Sequence, residues 1–277
     1  MIGAIIGDIV GSRFESVEDE YRDKNFVLFG HNCRATDDSF MTLAVAKALL
    51  LAGGNRERLK DNVIYCMKSV ARDHPHTGWG EKFYRWLFTE GVSKPCNSYG
   101  NGAGMRISPV GWVADSEEEV KVLSKIVTEV SHNHPEGLKG AEAVAMAVYL
   151  ARIGKSKEEM RARLQEYYPQ LSDKTFTIEH LHGHYGYDER GDWVTCQGSI
   201  PQALAAFLDS ENFEDAVRNA VCIGGDSDTI GAMAGSIAEA YYGVPSALED
   251  RALTYLTDDL KGIYYAFGTI RKPRVKR

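Results

Sequence analysis

The stretch Gly224-Gly225-Asp226-Ser227-Asp228-Thr229 leads directly into a series of apolar residues with helical spacing. A second acidic stretch, Thr36-Asp37-Asp38-Ser39, does the same much earlier in the chain. In both places the apolar side chains recur at positions i, i+3, i+4 and i+7, which is the pattern of one face of an α-helix. Each acidic stretch is therefore predicted to lie at the start of a helix.

The two acidic stretches together are predicted to supply the ligands of a divalent metal site. Their carboxylates and threonine hydroxyls are hard oxygen donors, the kind that Mg²⁺ and Mn²⁺ prefer. Helix capping is the alternative, because Thr, Ser and Asp are favoured at helix N-termini. Capping uses one or two residues per helix, and it leaves Asp226 and Asp228 repelling each other unless a cation lies between them. The pattern therefore favours a site for a pair of ions.

The rest of the sequence predicts an all-α protein. Further helical patterns cover Ala141–Arg152 and Pro201–Leu208, the second with its proline in the first turn. Asn25–Phe29 is the one good strand-like run, so an α/β sheet is not expected. The 277 residues, 44% of them hydrophobic, can bury a large core. We expect a single domain over residues 1–277, built as a compact orthogonal helical bundle with a dinuclear metal cleft.

Three glycines give the first predicted helix an unusual edge. Gly3, Gly7 and Gly11 are four residues apart and so fall on one side of a helix. An edge without side chains lets a neighbouring backbone approach closely. The pattern predicts tight helix packing.

Charge and cysteine content narrow the class of protein. The net charge of −7 argues against a nucleic-acid-binding surface, and the short basic run Arg271–Arg277 is expected to be a solvated C-terminal tail. Five cysteines without a CxxC pair suit reduced thiols. No basic leader marks a signal peptide, and no run reaches the ~18 apolar residues of a membrane span. We expect a cytoplasmic monomer with no membrane partner.

The sequence contains two further blocks, Ser98-Tyr99-Gly100-Asn101-Gly102-Ala103-Gly104-Met105-Arg106 and Ser131-His132-Asn133-His134-Pro135. With these blocks and the two acidic stretches, the chain resembles the ADP-ribosylglycohydrolase family. That family includes the dinitrogenase reductase-activating glycohydrolases and the ADP-ribosyl-acceptor hydrolases. The blocks follow the family's order, and the resemblance extends from Gly3 to Gly243. It implies an all-α fold that holds two Mg²⁺ or Mn²⁺ ions in a cleft.

The resemblance also implies roles for individual residues. One ion would be bound by Thr36, Asp37 and Asp38, and the other by Asp226 and Thr229, with Asp228 bridging. The contacts to ADP-ribose would be Ser98, Tyr99, Gly100, Asn101, Gly102 and His132. The catalytic residues would be Glu15, Asp37 and Asp228. Glu15 would lie on a mobile acidic segment that continues to Asp23.

The glycine-rich block and the histidines keep alternatives open. Consecutive backbone N–H groups of Ser98–Gly104 could cradle a pyrophosphate, but such loops are also plain turns. The histidines at residues 132 and 134 and at 180, 182 and 184 make a zinc site an alternative, although no cysteine lies nearby. Arg106 could pair with a phosphate group of the ligand or form an ion pair inside the protein. Residues 177–191 are expected to form a long loop over the cleft.

The predicted activity is hydrolysis of the bond between an ADP-ribosyl group and its acceptor, a protein or a small molecule, with ADP-ribose as product. A dinuclear nucleotide phosphohydrolase is the enzymatic alternative. A noncatalytic protein is the other, because the resembled family includes J-type lens crystallins. The acceptor stays open among arginine, serine, an O-acetyl group and a nucleic-acid base. His76 stands where the dinitrogenase reductase-activating branch has an aspartate, which weakens the arginine assignment.

Overall fold

A computed structural model describes residues 1–15, 23–91, 94–181 and 192–275. These residues form fifteen α-helices and two short 3₁₀ helices, Pro169–Ser172 and Asp192–Val194. The α-helices are α1 (Ile2–Gly11), α2 (Asp37–Ala52), α3 (Arg56–Asp73), α4 (Glu81–Phe88), α5 (Gly102–Met105), α6 (Ser108–Val113), α7 (Glu117–Glu129), α8 (Pro135–Arg152), α9 (Lys157–Leu164), α10 (Ile178–Leu181), α11 (Cys196–Leu208), α12 (Phe213–Ile223), α13 (Ser227–Tyr242), α14 (Ser246–Leu253) and α15 (Asp258–Phe267).

The described residues contain no strand, only an isolated β-bridge between Gly100 and Thr195. The prediction of an all-α fold is therefore confirmed. A hydrophobic core of buried side chains runs through α1, α2, α8, α11 and α13. None of the helices in the described ranges is both long and apolar enough to cross a lipid bilayer.

Both acidic stretches lie at helix starts, as predicted. Thr36 caps α2, and its side chain accepts a hydrogen bond from the Asp38 N–H. Asp226 occupies the cap position of α13. Gly53 and Gly243 end these two helices with positive φ angles of 54° and 85°, which glycine adopts without strain.

The glycine edge of α1 packs directly against α13, which confirms the predicted close approach. A Cβ atom added to Gly3 or Gly7 would lie 2.1 Å or 1.9 Å from the carbonyl oxygen of Gly235 or Gly231. At the end of the helix, a Cβ on Gly11 would lie 2.3 Å from the Ser227 carbonyl oxygen. This contact sets α1 against the first turn of α13 and so positions the carboxylates described below.

Gly7→Ala should destabilise the protein by roughly 3 kcal/mol, because the new methyl group can fit only if α1 and α13 move apart. Gly262→Ala is the matched control, since Gly262 also lies in a helix but a Cβ there meets nothing within 4 Å. It should stabilise the protein by about 0.5–1 kcal/mol. Urea unfolding curves measure both changes, and a Gly7→Ala variant as stable as Gly262→Ala would contradict the packing account.

The strand expected at Asn25–Phe29 is wrong, because these residues form turns. Val27 is 70% exposed, and the Phe26 carbonyl oxygen accepts a hydrogen bond of 2.7 Å from Arg218. The Phe26 ring packs against Phe14, with ring centres 5.0 Å apart. The apolar run is thus used for side-chain packing, and no strand in the described residues is available to pair with it.

Two further local predictions need correction. Helix α11 begins at Cys196, so Pro201 lies inside the helix rather than in its first turn. The start is fixed by the Thr195 hydroxyl, which accepts a hydrogen bond of 3.0 Å from the Gly198 N–H, and polar residues hide this first turn from a hydrophobic pattern. The expected loop at 177–191 contains the short helix α10, and residues 182–191 lie outside the described part of the chain.

The basic C-terminal run is held against the body of the protein rather than forming a free solvated tail. Arg271 pairs with Glu239 at 2.8 Å, and Lys272 forms an ion pair with Asp115. Arg274 donates a hydrogen bond of 2.9 Å to the Tyr241 carbonyl oxygen. Residues 276 and 277 lie outside the described residues.

Candidate active site

Two groups of carboxylates meet near the starts of α2 and α13. Side-chain oxygens of Asp8, Asp38 and Asp228 lie within 4.8 Å of one another. Oxygens of Glu15, Asp226 and Asp228 form a second group with the same spacing. Asp228 belongs to both, so one carboxylate connects the two groups. In the described part of the chain, no other group of three His, Cys, Asp or Glu side chains is close enough to share a metal ion.

Burial makes these carboxylates unfavourable as charged groups. Asp38 and Asp228 are 2% and 3% exposed. Burial, reinforced by neighbouring carboxylates, raises the pKa values of Asp37, Asp38 and Asp228 well above the usual range. Burial also raises the pKa of Asp226. A divalent cation would offset this cost by replacing repulsion between carboxylates with attraction to the ion.

The side-chain oxygens fit such a cation. Asp38 Oδ1 is buried and accepts no hydrogen bond from the described residues, which is rare for a buried polar atom. Asp38 Oδ2 accepts a hydrogen bond of 3.2 Å from the Thr229 hydroxyl. Because this hydroxyl donates its hydrogen to a carboxylate, its lone pairs stay available to a metal ion. Carboxylate and hydroxyl oxygens suit a hard divalent ion such as Mg²⁺ or Mn²⁺.

Asp8 was missed as a site residue by the sequence interpretation. Its Oδ1 accepts a hydrogen bond of 2.7 Å from the Thr36 hydroxyl, and its Oδ2 accepts bonds of 2.9 Å and 3.1 Å from the N–H groups of Thr36 and Ser39. The Ser39 hydroxyl donates to Oδ2 as well. Asp8 thereby fixes the start of α2 against α1. The signal available in the sequence was a single charged residue among the apolar residues and glycines of 2–11.

Thr36 and Asp37 lie at the site without belonging to either carboxylate group. Thr36 is 4% exposed and hydrogen-bonds to Asp8, whereas Asp37 lines the adjoining cleft. The structure therefore places Asp38 and Asp226 each beside Asp228 and joins Thr229 to Asp38 by a hydrogen bond, while Asp37 lines the cleft.

The cleft beside the carboxylates has a volume of about 460 Å³, within the ~300–1,000 Å³ typical of small-molecule sites. Four of the predicted ADP-ribose contacts in the glycine-rich block line it, as does His132; they are Ser98, Gly100, Asn101 and Gly102. Tyr99 is not among the lining residues. It is 43% exposed, and its ring lies 5.1 Å from that of His134.

Two backbone N–H groups at the centre of the glycine-rich block are used within the protein. The Gly100 N–H donates to the Ser98 hydroxyl at 3.1 Å, and the Asn101 N–H donates to the Val194 carbonyl oxygen at 2.9 Å. The block continues into α5 instead of forming a simple turn. The Asn101 side chain donates a hydrogen bond of 2.6 Å to Asp226, which joins the block to the carboxylates.

Glu15 lines the cleft and is partly exposed. Its carboxylate lies 3.9 Å from the Arg34 guanidinium, and its side chain is 36% exposed. Burial, followed by the charge of Asp226, raises the pKa of Glu15. The acidic segment expected to be mobile spans residues 15–23, and residues 16–22 of it lie outside the described residues.

The contacts of the described histidines and of Arg106 bear on the alternatives that the sequence left open. His134 caps α8 by accepting a hydrogen bond of 3.1 Å from the Glu136 N–H. None of the described histidines belongs to a candidate metal group. Residues 182 and 184 lie outside the described ranges. Arg106 is fully buried and has no ion-pair partner among the described residues. It is also absent from the cleft lining.

A model of the family described as ADP-ribosylglycohydrolase matches residues 1–268. The chain belongs to the ADP-ribosylglycohydrolase family. Among curated relatives, the ADP-ribosylhydrolase ARH3 of Gallus gallus is 25% identical over 260 residues, which cover 75% of this chain and 70% of the relative. The ADP-ribosylarginine hydrolase Tri1 of Pseudomonas putida is 26% identical over 268 residues, with coverages of 88% and 70%.

A solved structure of this family has the same fold. It is described as an ADP-ribosylglycohydrolase-related protein complex, and it matches with a TM-score of 0.68 at 23% sequence identity. The match covers 97% of this chain and 96% of the other.

Proposed function

We propose that this chain is a metal-dependent hydrolase that releases ADP-ribose from an ADP-ribosylated acceptor. The observation that carries the proposal is the position of Asp228 in both carboxylate groups, beside a cleft lined by the glycine-rich block. Family membership and the hydrolase names of the relatives support the same reaction. The acceptor would be a protein or a small molecule joined through an N- or O-glycosidic bond.

The proposed cofactors are two Mg²⁺ or Mn²⁺ ions. The residues proposed to bind them are Thr36, Asp37 and Asp38 for one ion, Asp226 and Thr229 for the other, and Asp228 for both. Asp8 is placed outside the proposed ligand set as a support of Thr36, because Thr36 and Ser39 donate four hydrogen bonds to its carboxylate. When bound, such ions supply Lewis-acid stabilisation and lower the pKa of a coordinated water.

The glycine-rich block is proposed to hold the ADP-ribosyl group beside the carboxylates. The Asn101–Asp226 hydrogen bond fixes the distance between the two parts of the site. Ser98, Tyr99, Gly100, Asn101, Gly102 and His132 are the proposed contacts, with Tyr99 at the rim. An ADP-ribosyl group held there would have its anomeric carbon beside the carboxylates.

The carboxylates suit the attack of water during glycosidic cleavage. The transition state of glycosyl transfer to water resembles an oxocarbenium ion, so positive charge grows on the sugar. Asp37 and Asp228, which line the cleft, would serve this step by holding the ions that orient and activate the attacking water. Glu15, at the open edge of the same cleft, is proposed to take the proton of the attacking water.

The protein is proposed to work as one domain over residues 1–277, as a monomer in the cytoplasm. These three statements are predictions from the sequence, and size-exclusion chromatography with light scattering would test the second.

A panel of ADP-ribosylated substrates tests the proposed activity. Arginine-linked, serine-linked and O-acetyl-linked ADP-ribose, together with an ADP-ribosylated DNA oligonucleotide, are incubated with protein that was treated with EDTA and then given Mg²⁺ or Mn²⁺. We expect release of ADP-ribose from at least one member, and none without metal. The absence of release from every member would favour the noncatalytic alternative.

Gly100→Val should raise the dissociation constant of ADP-ribose at least tenfold while metal binding stays normal, since about 1.4 kcal/mol of lost contact corresponds to a factor of ten. A Cβ at Gly100 lies 3.3 Å from the Ser98 hydroxyl and 3.8 Å from His132 Nε2, so the larger side chain would fill cleft space. Calorimetry with ADP-ribose and separately with Mn²⁺ measures both affinities.

Gly262→Val serves as the control, because a Cβ there has open space around it. Unchanged ADP-ribose affinity in a folded Gly100→Val variant would remove the block from the binding site.

A further inference from the structure

Arg106 is an unusual buried cation. Its side chain is completely buried, directly after α5, and burial lowers the pKa of its guanidinium to about 10, so it stays charged at neutral pH. One terminal nitrogen donates to the Ser131 hydroxyl at 2.7 Å and lies 3.2 Å from His132 Nδ1. The guanidinium carbon also lies 5.0 Å from the centre of the Phe83 ring.

This cation is only partly satisfied. The Nε atom and the other terminal nitrogen of Arg106 are buried without a hydrogen-bond partner in the described residues. Burying a charged group in this way costs free energy, and the Phe83 ring offsets only part of the cost. A purely structural role would be served better by an apolar residue of similar size. The role of Arg106 is therefore inferred from the contacts that its side chain does make.

Those contacts determine where His132 carries its proton. A guanidinium has only hydrogen-bond donors, so the nitrogen facing it must be an acceptor. The Ser131 hydroxyl accepts from Arg106 and lies 2.9 Å from His132 Nδ1, which leaves its own hydrogen to donate to that atom. Nδ1 is thus opposed by two donors. In a neutral imidazole the proton is then on Nε2.

The Nε2 side of His132 faces the candidate binding cleft. Cβ atoms added to Gly100 and Gly102 would lie 3.8 Å and 3.5 Å from Nε2, and all three residues line the cleft. Burial, followed by the Arg106 charge, lowers the pKa of His132 well below its usual value, so the ring stays neutral. The cleft therefore contains an N–H donor that does not change with pH in the neutral range.

We propose that Arg106, directly and through the Ser131 hydroxyl, is a positioning residue that holds His132 as the Nε2–H tautomer, so that His132 donates a hydrogen bond to an oxygen of the ADP-ribosyl group. This inference rests on the proposed function for the identity of the ligand. The tautomer itself does not depend on it, because the contacts that set it are formed within the protein.

Long-range ¹H–¹⁵N correlation spectra of the imidazole rings test the tautomer without any ligand. The His132 signals are assigned by their absence in His132→Gln. We expect a protonated Nε2 and an unprotonated Nδ1 from pH 5.5 to 8 in the wild-type protein. A proton on Nδ1, or a ring that becomes doubly protonated in this interval, would overturn the proposal.

Arg106→Met tests whether Arg106 sets the tautomer of His132. Without the guanidinium, the Ser131 hydroxyl can accept as well as donate, so the Nδ1–H form should appear and the dissociation constant of ADP-ribose should rise roughly 3- to 10-fold. Arg152→Met is the matched control, since Arg152 is also buried and lies 5.4 Å from the Tyr149 ring centre but bonds to backbone carbonyls.

The control should lose stability while the His132 spectrum and the ADP-ribose affinity stay unchanged. An unaltered His132 spectrum and an unaltered affinity in folded Arg106→Met would overturn the role of Arg106. Failure of the wild-type protein to bind ADP-ribose would instead contradict the proposed function. These outcomes are distinguishable because the spectra are recorded without ligand.

Discussion

Asp228→Asn should abolish detectable turnover and leave the protein unable to bind two metal ions with normal affinity. Asp228 is the carboxylate that belongs to both groups, so its loss weakens both proposed ion positions at once. The same substitution removes a buried charge from a crowded set of carboxylates. The melting temperature measured in EDTA should therefore be preserved or raised, while the stabilisation by added Mg²⁺ or Mn²⁺ is lost.

Asp226→Asn is the comparison variant, because Asp226 belongs to only one of the two carboxylate groups. It should lose one ion and keep the other. Asp258→Asn, at a fully exposed side chain, should change neither the metal content nor the turnover. Two equivalents of Mn²⁺ binding to Asp228→Asn with wild-type affinity in isothermal titration would end the shared role of this carboxylate.

Glu15→Gln should lower kcat by roughly 10²–10⁴-fold, the usual effect of removing a general acid or base. The amide keeps the size of the side chain but can no longer take a proton from water. Since the carboxylate is at the open edge of the site, we expect little change in ADP-ribose affinity or in melting temperature. Single-turnover kinetics on an ADP-ribosylated peptide separate the chemical step from product release.

Glu81→Gln provides the matched control for Glu15. Glu81 also lines the cleft, but it is largely exposed and pairs with Arg85 on its own helix. Its substitution should leave kcat within a factor of about two, as expected for an exposed ion pair. A Glu15→Gln variant that keeps more than about a tenth of the wild-type rate would exclude Glu15 from the proton transfer.

The sequence predicted the features whose signals are local. The helices after Asp38 and Asp226, and the close packing at Gly3 and Gly7, follow from periodicity and from glycine spacing. Pro201 shows the limit of this approach, since the helix start was set by a Thr195 cap and a polar first turn. The strand-like run at Asn25–Phe29 failed because strand formation needs a partner that a single segment does not reveal.

The candidate site could be predicted only in part, because only some of its residues have a local signal in the sequence. Residues contributed by the two acidic stretches were apparent, but Asp8 was not, because its role depends on hydrogen bonds to the distant Thr36 and Ser39. The use of the Gly100 and Asn101 N–H groups within the protein was equally hidden. The arrangement of Arg106 and His132 required the fold, since nothing in their spacing indicates that they touch.

Identification of both products by mass spectrometry tests the proposed reaction most directly. The best substrate of the panel is incubated with the wild-type protein, with EDTA in one sample and with Mg²⁺ restored in another. We expect free ADP-ribose and the unmodified acceptor, formed only when metal is present. AMP together with an acceptor that retains a phosphoribosyl group would show cleavage of the pyrophosphate instead, and would contradict the assignment of this chain as an ADP-ribosyl-acceptor hydrolase.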